Sequence, residues 1–135
     1  MSAELEQYLD YVKFEKQLKK LNKKLKNKKV LIYGAGLLFK TAQEKYDLSK
    51  LNIIGISDMR ITDVDAGKDM FGYPAIPFDK IIDAKPDYVL IATQRFLGIL
   101  ENFEKNVFVG TKIKVLPFID KPFFDLVKEI WGLWW

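Results

Sequence analysis

The stretch Val30-Leu31-Ile32-Tyr33-Gly34-Ala35-Gly36 decides the fold. Its consecutive apolar residues predict a short strand that is covered on both faces, as strands of parallel sheets are. The strand runs into a Gly-x-Gly turn, and residues 37–46 then favour a helix. Glycine allows the chain to turn sharply and lets an anion approach the backbone closely. The pattern therefore predicts a strand, a turn and a helix, with the amides of Gly34 to Leu37 facing a diphosphate.

The rest of the chain continues this alternation of strands and helices. Further apolar runs predict strands at 53–57, 71–76, 87–93 and 112–117. Between them, helices are predicted at 77–84 and 95–105. Strands that alternate with helices imply a parallel sheet with right-handed crossovers. We therefore expect an α/β fold of three layers, with a mainly parallel sheet of about five strands.

An acidic residue directly follows the second predicted strand. Asp58 comes directly after residues 53–57, where a carboxylate can accept hydrogen bonds from a ribose diol. Arg60 and Arg95 could each reach a ligand phosphate, because a guanidinium grips phosphate with two hydrogen bonds. Arg60 would allow a ligand with a 2′-phosphate on its ribose, but the carboxylate of Asp58 favours a free 2′-hydroxyl. Phe39 occupies the third glycine position of the dinucleotide fingerprint, which weakens the match to tight NAD binders.

The N-terminal segment is basic and amphipathic. Residues 3–27 contain no glycine or proline and predict one helix, and residues 1–29 carry nine lysines against four acidic residues. The apolar residues expected on one face are Tyr11, Phe14, Leu18, Leu21 and Leu25. The apolar face could pack on the domain or on a second copy, or it could form a short coiled coil. Alternatively, the lysines could bind anionic lipid or nucleic acid. Because no arginine or base-stacking pattern accompanies the lysines, we expect no nucleic-acid partner.

The C-terminal segment predicts a second added helix, over residues 120–135, with all three tryptophans among its last five residues. That aromatic surface could pack on the chain's own sheet or a sister subunit, dock on another protein or domain, or anchor at a membrane interface. The expected units are therefore the basic helix at 1–29, the α/β domain at 30–119 and the aromatic helix at 120–135.

Composition excludes several kinds of chemistry. The 135 residues include no cysteine and no histidine, which removes disulfides, thiol nucleophiles, zinc–thiolate sites and the commonest general base. We expect no metal site, and no catalytic residue can be named. No apolar run reaches the ~20 residues of a membrane-spanning helix, and no secretory signal is visible, so a cytoplasmic protein is expected.

Residues 29–119 resemble the small Rossmann domains of bacterial sugar-nucleotide enzymes. The segments that carry the resemblance are 30–36, 54–58, 71–74, 85–93 and 115–117. Such domains form the N-terminal module of sugar acyltransferases and precede the catalytic domain of polysaccharide-biosynthesis dehydratases and epimerases. The resemblance implies a nucleotide site made by Gly34, Ala35, Gly36, Asp58, Thr93 and Gln94. The chain lacks the Tyr-x-x-x-Lys pair of short-chain dehydrogenases, and also the acyltransferase's helical repeats and catalytic histidine.

These observations predict a nucleotide-binding domain that acts in surface-polysaccharide or nucleotide-sugar metabolism without a complete catalytic centre. Its ligand is expected to be NAD or a nucleotide-sugar. Two alternatives stay open: a non-catalytic module that docks a partner through its terminal helices, and a stand-alone NAD-dependent dehydrogenase or epimerase.

Overall fold

A parallel sheet forms the centre of the computed structural model, which describes residues 3–94, 96–121, 127 and 130. In these residues the strands are β1 (Lys29–Tyr33), β2 (Asn52–Ser57), β3 (Asp69–Met70), β4 (Tyr73–Pro74), β5 (Tyr88–Ile91) and β6 (Lys114–Pro117). Four of them form the sheet in the order β2-β1-β5-β6, and every neighbouring pair is parallel. The expected α/β fold with a mainly parallel sheet is confirmed.

Helices cover both faces of this sheet. They are α1 (Ala3–Tyr11), α2 (Phe14–Lys24), α3 (Leu37–Lys45), α4 (Ile81–Ala84) and α5 (Leu97–Asn102), which continues as a π-helical turn over Phe103–Val107. Val30, Ile32 and Leu90 belong to the core under α1, α2 and α3, whereas Leu31 and Val89 belong to the core beside α4 and α5. Alternate side chains of one strand therefore pack into two different cores, one on each face of the sheet, which is why the strands are apolar throughout.

The strand expected at 71–76 is replaced by a hairpin, so this detail of the prediction is wrong. Phe71 and Gly72 both have a positive φ, 55° and 92°, and turn the chain so that β3 pairs antiparallel with β4. Only Ala75 then joins the main sheet, by a single parallel bridge to Ile56. Gly55 permits this contact, because a Cβ there would overlap the side chain of Ile76. A short ribbon thus takes the place of the fifth strand.

The N-terminal helix is also not continuous. Lys13 adopts a left-handed conformation (φ 55°, ψ 51°) and separates α1 from α2. The break changes the buried face: Tyr11 is 60% exposed, while Leu9 and Val12 are buried instead. Phe14 is fully buried, and its ring centroid lies 5.1 Å from those of both Tyr46 and Phe118. The apolar side of both helices therefore packs within the chain.

The start of the C-terminal segment is attached to α2. Gln17 Nε2 donates to the carbonyl of Asp120 at 2.9 Å, and the amide of Asp120 donates to Gln17 Oε1 at 2.6 Å. The predicted aromatic helix at 120–135 lies almost entirely outside the described residues, so its packing and the domain boundaries stay predictions. Among the helices that the structure describes, none is long and apolar enough to cross a bilayer.

Candidate functional site

The sequence-predicted site residues lie where β1, β2 and β5 end. Tyr33 is in register with Ser57 on one side and Ile91 on the other, so the residues that follow these three strands emerge at one edge of the sheet. The Gly34 amide donates to the Ser57 carbonyl and the Ala92 amide to the Tyr33 carbonyl, both at 2.8 Å. The chain passes from β1 to β2 on one side and later returns to β5 on the other. This topological switch point is where ligands bind in open α/β sheets.

Gly34 is required by the backbone at this point. Its φ is +121°, and an added Cβ would lie 2.9 Å from the carbonyl oxygen of Ala92 and 3.4 Å from Cγ2 of Thr93. An L-residue rarely adopts this φ, and the neighbouring backbone of β5 leaves no room for a side chain. Gly34 therefore lets the turn pass close to the end of β5 and places Thr93 beside it.

Gly36 contributes open space rather than an unusual conformation. Its φ of −103° and ψ of −170° are extended values that any residue can adopt. A Cβ added there would have no atom within 4 Å. Gly36 immediately precedes α3, and the next residue, Leu37, is 58% exposed. Among the described residues, nothing therefore obstructs the space beside Gly36 at the start of α3.

The free amides at this turn are fewer than the sequence predicted. The Gly34 amide is bound to Ser57, and the Ala35 amide donates to Oδ2 of Asp58 at 2.9 Å. The expectation that all four amides from Gly34 to Leu37 face a diphosphate is therefore corrected. The amides of Gly36 and Leu37 have no acceptor among the described residues, because the first amides of a helix have no intrahelical acceptor. They lie at the positive end of the nine-residue helix α3.

The Asp58 carboxylate accepts four hydrogen bonds, one from the turn and three from Arg60. Oδ2 accepts from the Ala35 amide at 2.9 Å and from Nη2 of Arg60 at 3.2 Å. Oδ1 accepts from the Arg60 amide at 3.0 Å and from Arg60 Nε at 3.1 Å. Burial raises the pKa of the Asp58 carboxyl, but the hydrogen bonds from Arg60 and Ala35 and the guanidinium charge outweigh it and leave the pKa lowered. Asp58 is therefore an oriented carboxylate beside the free amides.

Tyr33 is a neighbour of Asp58 that the sequence interpretation missed. Burial, and secondarily the charge of Asp58, raises the pKa of its hydroxyl, against the effect of a backbone hydrogen bond with Met59. Its ring packs edge-on against Phe103, with centroids 4.8 Å apart. The signal was available: Tyr33 is the last residue of the strand that precedes the turn. Its ring packs with those of Phe78 and Phe103 in the core beside α4 and α5.

The remaining predicted residues are placed as follows. Thr93 is half-buried and Gln94 is exposed, both directly after β5, while Arg95 lies outside the described residues. Phe39, at the third glycine position, is fully buried among the rings of Phe71, Tyr73 and Phe118. It anchors α3 to the β3–β4 ribbon.

Comparisons with known proteins show only distant likenesses. No protein-family model matches the chain, and no curated protein matches it. Similar solved structures include three of RSP, a Rex-family repressor. One is a complex with β-NAD⁺ and operator DNA (16% identity, TM-score 0.45) and one is a complex with β-NADH (15%, 0.45). The third is a crystal structure of RSP (20%, 0.44). Each alignment covers 88% of this chain, which spans 62%, 67% and 64% of those chains.

Two sequence-based expectations need revision beside these structures. The expectation of no nucleic-acid partner is corrected: RSP, to which the chain is similar, was solved with operator DNA. Its physical premise was also too narrow, since lysines bind phosphates by charge alone, without arginine or stacking. The resemblance to sugar-nucleotide enzymes finds no support in these repressor structures.

Proposed function

We propose that this chain is a dinucleotide-binding domain whose ligand is NAD. The observation that carries this function is the open start of α3, where the amides of Gly36 and Leu37 lie beside an oriented carboxylate at the switch point of the sheet. The diphosphate would bind these two amides and the positive end of the helix. Asp58 would accept hydrogen bonds from the adenosine ribose, and Thr93 and Gln94 would line the side formed by β5.

The proposed activity is binding rather than a reaction. The chain has no histidine or cysteine to act as a general base or nucleophile. NAD is preferred to NADP because an acid after β2 favours a free 2′-hydroxyl. A nucleotide-sugar also offers a diphosphate and a ribose, so it is the rival ligand for the same residues. A place in polysaccharide metabolism would follow only from that rival.

Thermal unfolding with NAD⁺, NADP⁺, UDP-glucose and coenzyme A tests the proposal. A ligand at 100 times its dissociation constant adds about 2.7 kcal/mol, which raises the melting temperature measurably. We expect the largest rise with NAD⁺. Gly36→Val should remove the rise by filling the approach to α3, while the unliganded melting temperature changes little. Ala66→Val, in an exposed loop, adds similar bulk away from the site and should bind NAD⁺ normally. No shift with any ligand, or an unchanged shift in Gly36→Val, would contradict the proposed site.

A specific observation supports a second candidate function, the binding of a nucleic-acid phosphate backbone by α2. At 3.6 residues per turn, one exposed arc of about 140° contains only lysines. These are Lys16, Lys19, Lys20, Lys23 and Lys24, all exposed, and no ion pair joins them to another described residue. The apolar side of α2 is buried in the core, which removes the apolar face that an interfacial membrane helix needs. The arc therefore suits phosphodiesters better than a membrane.

Binding of a labelled DNA duplex of random sequence at several salt concentrations tests this candidate. Affinity should fall with salt with a log–log slope of about −0.9 per phosphate neutralised, or about −4.5 for five lysines. The triple variant Lys16→Gln, Lys20→Gln, Lys23→Gln should reduce that slope by about 2.7. Lys50→Gln, Lys68→Gln, Lys80→Gln removes the same charge from other exposed positions and should bind almost as the wild type does. Equal losses in both variants, or binding to anionic vesicles but not to DNA, would reject the candidate.

A further inference from the structure

The Asp58 carboxylate has no acceptor site left for a ligand in this structure. An ionised carboxylate offers about four lone-pair sites. Two on Oδ1 are taken by the amide and Nε of Arg60, and two on Oδ2 by the amide of Ala35 and Nη2 of Arg60. A ribose that binds Asp58 must therefore displace one of these donors.

The Arg60 side chain is the donor that can leave. The amides of Ala35 and Arg60 belong to the backbone beside the carboxylate, whereas the Arg60 side chain is 73% exposed and can turn into solvent. Its departure would free one site on Oδ1 and one on Oδ2. A ribose has two neighbouring hydroxyls, so the sites released match the two donors of the incoming diol.

We propose that the Arg60 guanidinium is a resident competitor that occupies the ribose site on Asp58 and sets the choice between a 2′-hydroxyl and a 2′-phosphate. This inference rests on the proposed dinucleotide site. A ligand with a free ribose diol displaces the guanidinium and takes its two acceptor sites. A ligand with a 2′-phosphate keeps only the 3′-hydroxyl as a donor to Asp58; it needs Arg60 in place, because the guanidinium neutralises the carboxylate and can bind the phosphate with two hydrogen bonds.

The cost of displacement is small because the Arg60 side chain is 73% exposed and regains water when it leaves, although the Asp58 side chain is only 16% exposed. Ion pairs at the protein surface are typically worth about 0.2–1 kcal/mol, so removal of Arg60 should tighten NAD⁺ binding by about 1.4- to fivefold. The same removal should weaken NADP⁺ binding, since the 2′-phosphate would then face an unscreened carboxylate. Opposite signs for two ligands that differ by one phosphate cannot come from a general disturbance of the fold.

Isothermal titration calorimetry of NAD⁺ and NADP⁺ against the wild type, Arg60→Ala and Arg60→Lys tests the inference. Arg60→Ala should gain affinity for NAD⁺ and lose it for NADP⁺. Arg60→Lys keeps the charge but lacks the guanidinium fork, so it should gain a smaller factor for NAD⁺. Lys68→Ala removes the same charge from the same loop and should show no gain.

The outcomes separate the two proposals. If the wild type binds NAD⁺ and Arg60→Ala binds it equally or more weakly, the competitor role is overturned and the dinucleotide site stands. If neither the wild type nor either Arg60 variant binds NAD⁺ or NADP⁺, the dinucleotide site itself fails, and the competitor role fails with it. If only the Arg60 variants bind NAD⁺, both proposals are supported.

Discussion

Replacing Gly34 with alanine should destabilise the fold far more than the same replacement at Gly36. At Gly34 the φ of +121° costs an L-residue of the order of 1–3 kcal/mol. The new Cβ would also lie 2.9 Å from the Ala92 carbonyl oxygen, and crowding of this kind costs about 1–3 kcal/mol. Ala92 cannot withdraw easily, because its amide is bound to the Tyr33 carbonyl at 2.8 Å. Together these effects predict a loss of roughly 2–6 kcal/mol in unfolding free energy.

Gly36→Ala is the matched control for this change. Its backbone is already extended, and the added methyl group meets nothing within 4 Å. We expect its unfolding free energy to stay within about 1 kcal/mol of the wild type, since a poorer N-cap is offset by a less flexible unfolded chain.

Urea denaturation and thermal melting of both variants measure the difference. For a chain of this size the Gly34 variant should melt roughly 8 to 20 °C lower, and the Gly36 variant within a few degrees of the wild type. Equal stabilities for the two variants would refute the reasoning, because the turn would then not depend on Gly34 passing close to β5.

Three further substitutions test other parts of the structure. Asp58→Asn should lower the unfolding free energy at neutral pH but not at strongly acidic pH. The pKa of the Asp58 carboxyl in the folded chain is lowered from 3.8, so its contribution to stability is lost as pH falls through that folded pKa. Denaturation at several pH values should therefore show the difference in unfolding free energy between variant and wild type narrowing as pH falls. A gap that does not change with pH would contradict that pairing. Ser57→Ala should raise the unfolding free energy by about 1 kcal/mol, because the buried Ser57 hydroxyl has no hydrogen-bond partner among the described residues; a loss of that size in denaturation would reveal a partner. Phe39→Ala should lower the unfolding free energy by roughly 3–5 kcal/mol in the same assay, since the ring is fully buried. A loss below about 1 kcal/mol would show that the β3–β4 ribbon does not depend on the Phe39 ring.

The regular part of the fold could be predicted from local pattern. Apolar runs such as 30–33 and 88–91 are typical of strands in a sheet covered on both faces, and the glycines after the first run mark its turn. The ribbon at 69–74 could not be predicted this way, because it depends on positive φ at Phe71, an unusual position for a bulky residue. The break at Lys13 could not be predicted either, because it also depends on a positive φ and lysine normally favours a helix.

The candidate site was predictable in position but not in bonding. The order of strand, turn, helix and acid brings Gly34, Gly36 and Asp58 to one edge of the sheet. Sequence spacing does not show that Asp58 would bind the Ala35 amide or that Arg60 would fill its remaining acceptor sites. These bonds depend on the direction of side chains, which only the folded backbone determines.

Titration of the ¹⁵N-labelled chain with NAD⁺, followed by amide chemical shifts, tests the central proposal most directly. We expect saturable binding, with the largest shifts at the amides of Gly36 and Leu37 and accompanying shifts at Ala35 and Arg60 as the guanidinium leaves Asp58. Saturable binding that leaves the Gly36 and Leu37 amides unchanged, or no binding at all, would contradict a dinucleotide site at the start of α3.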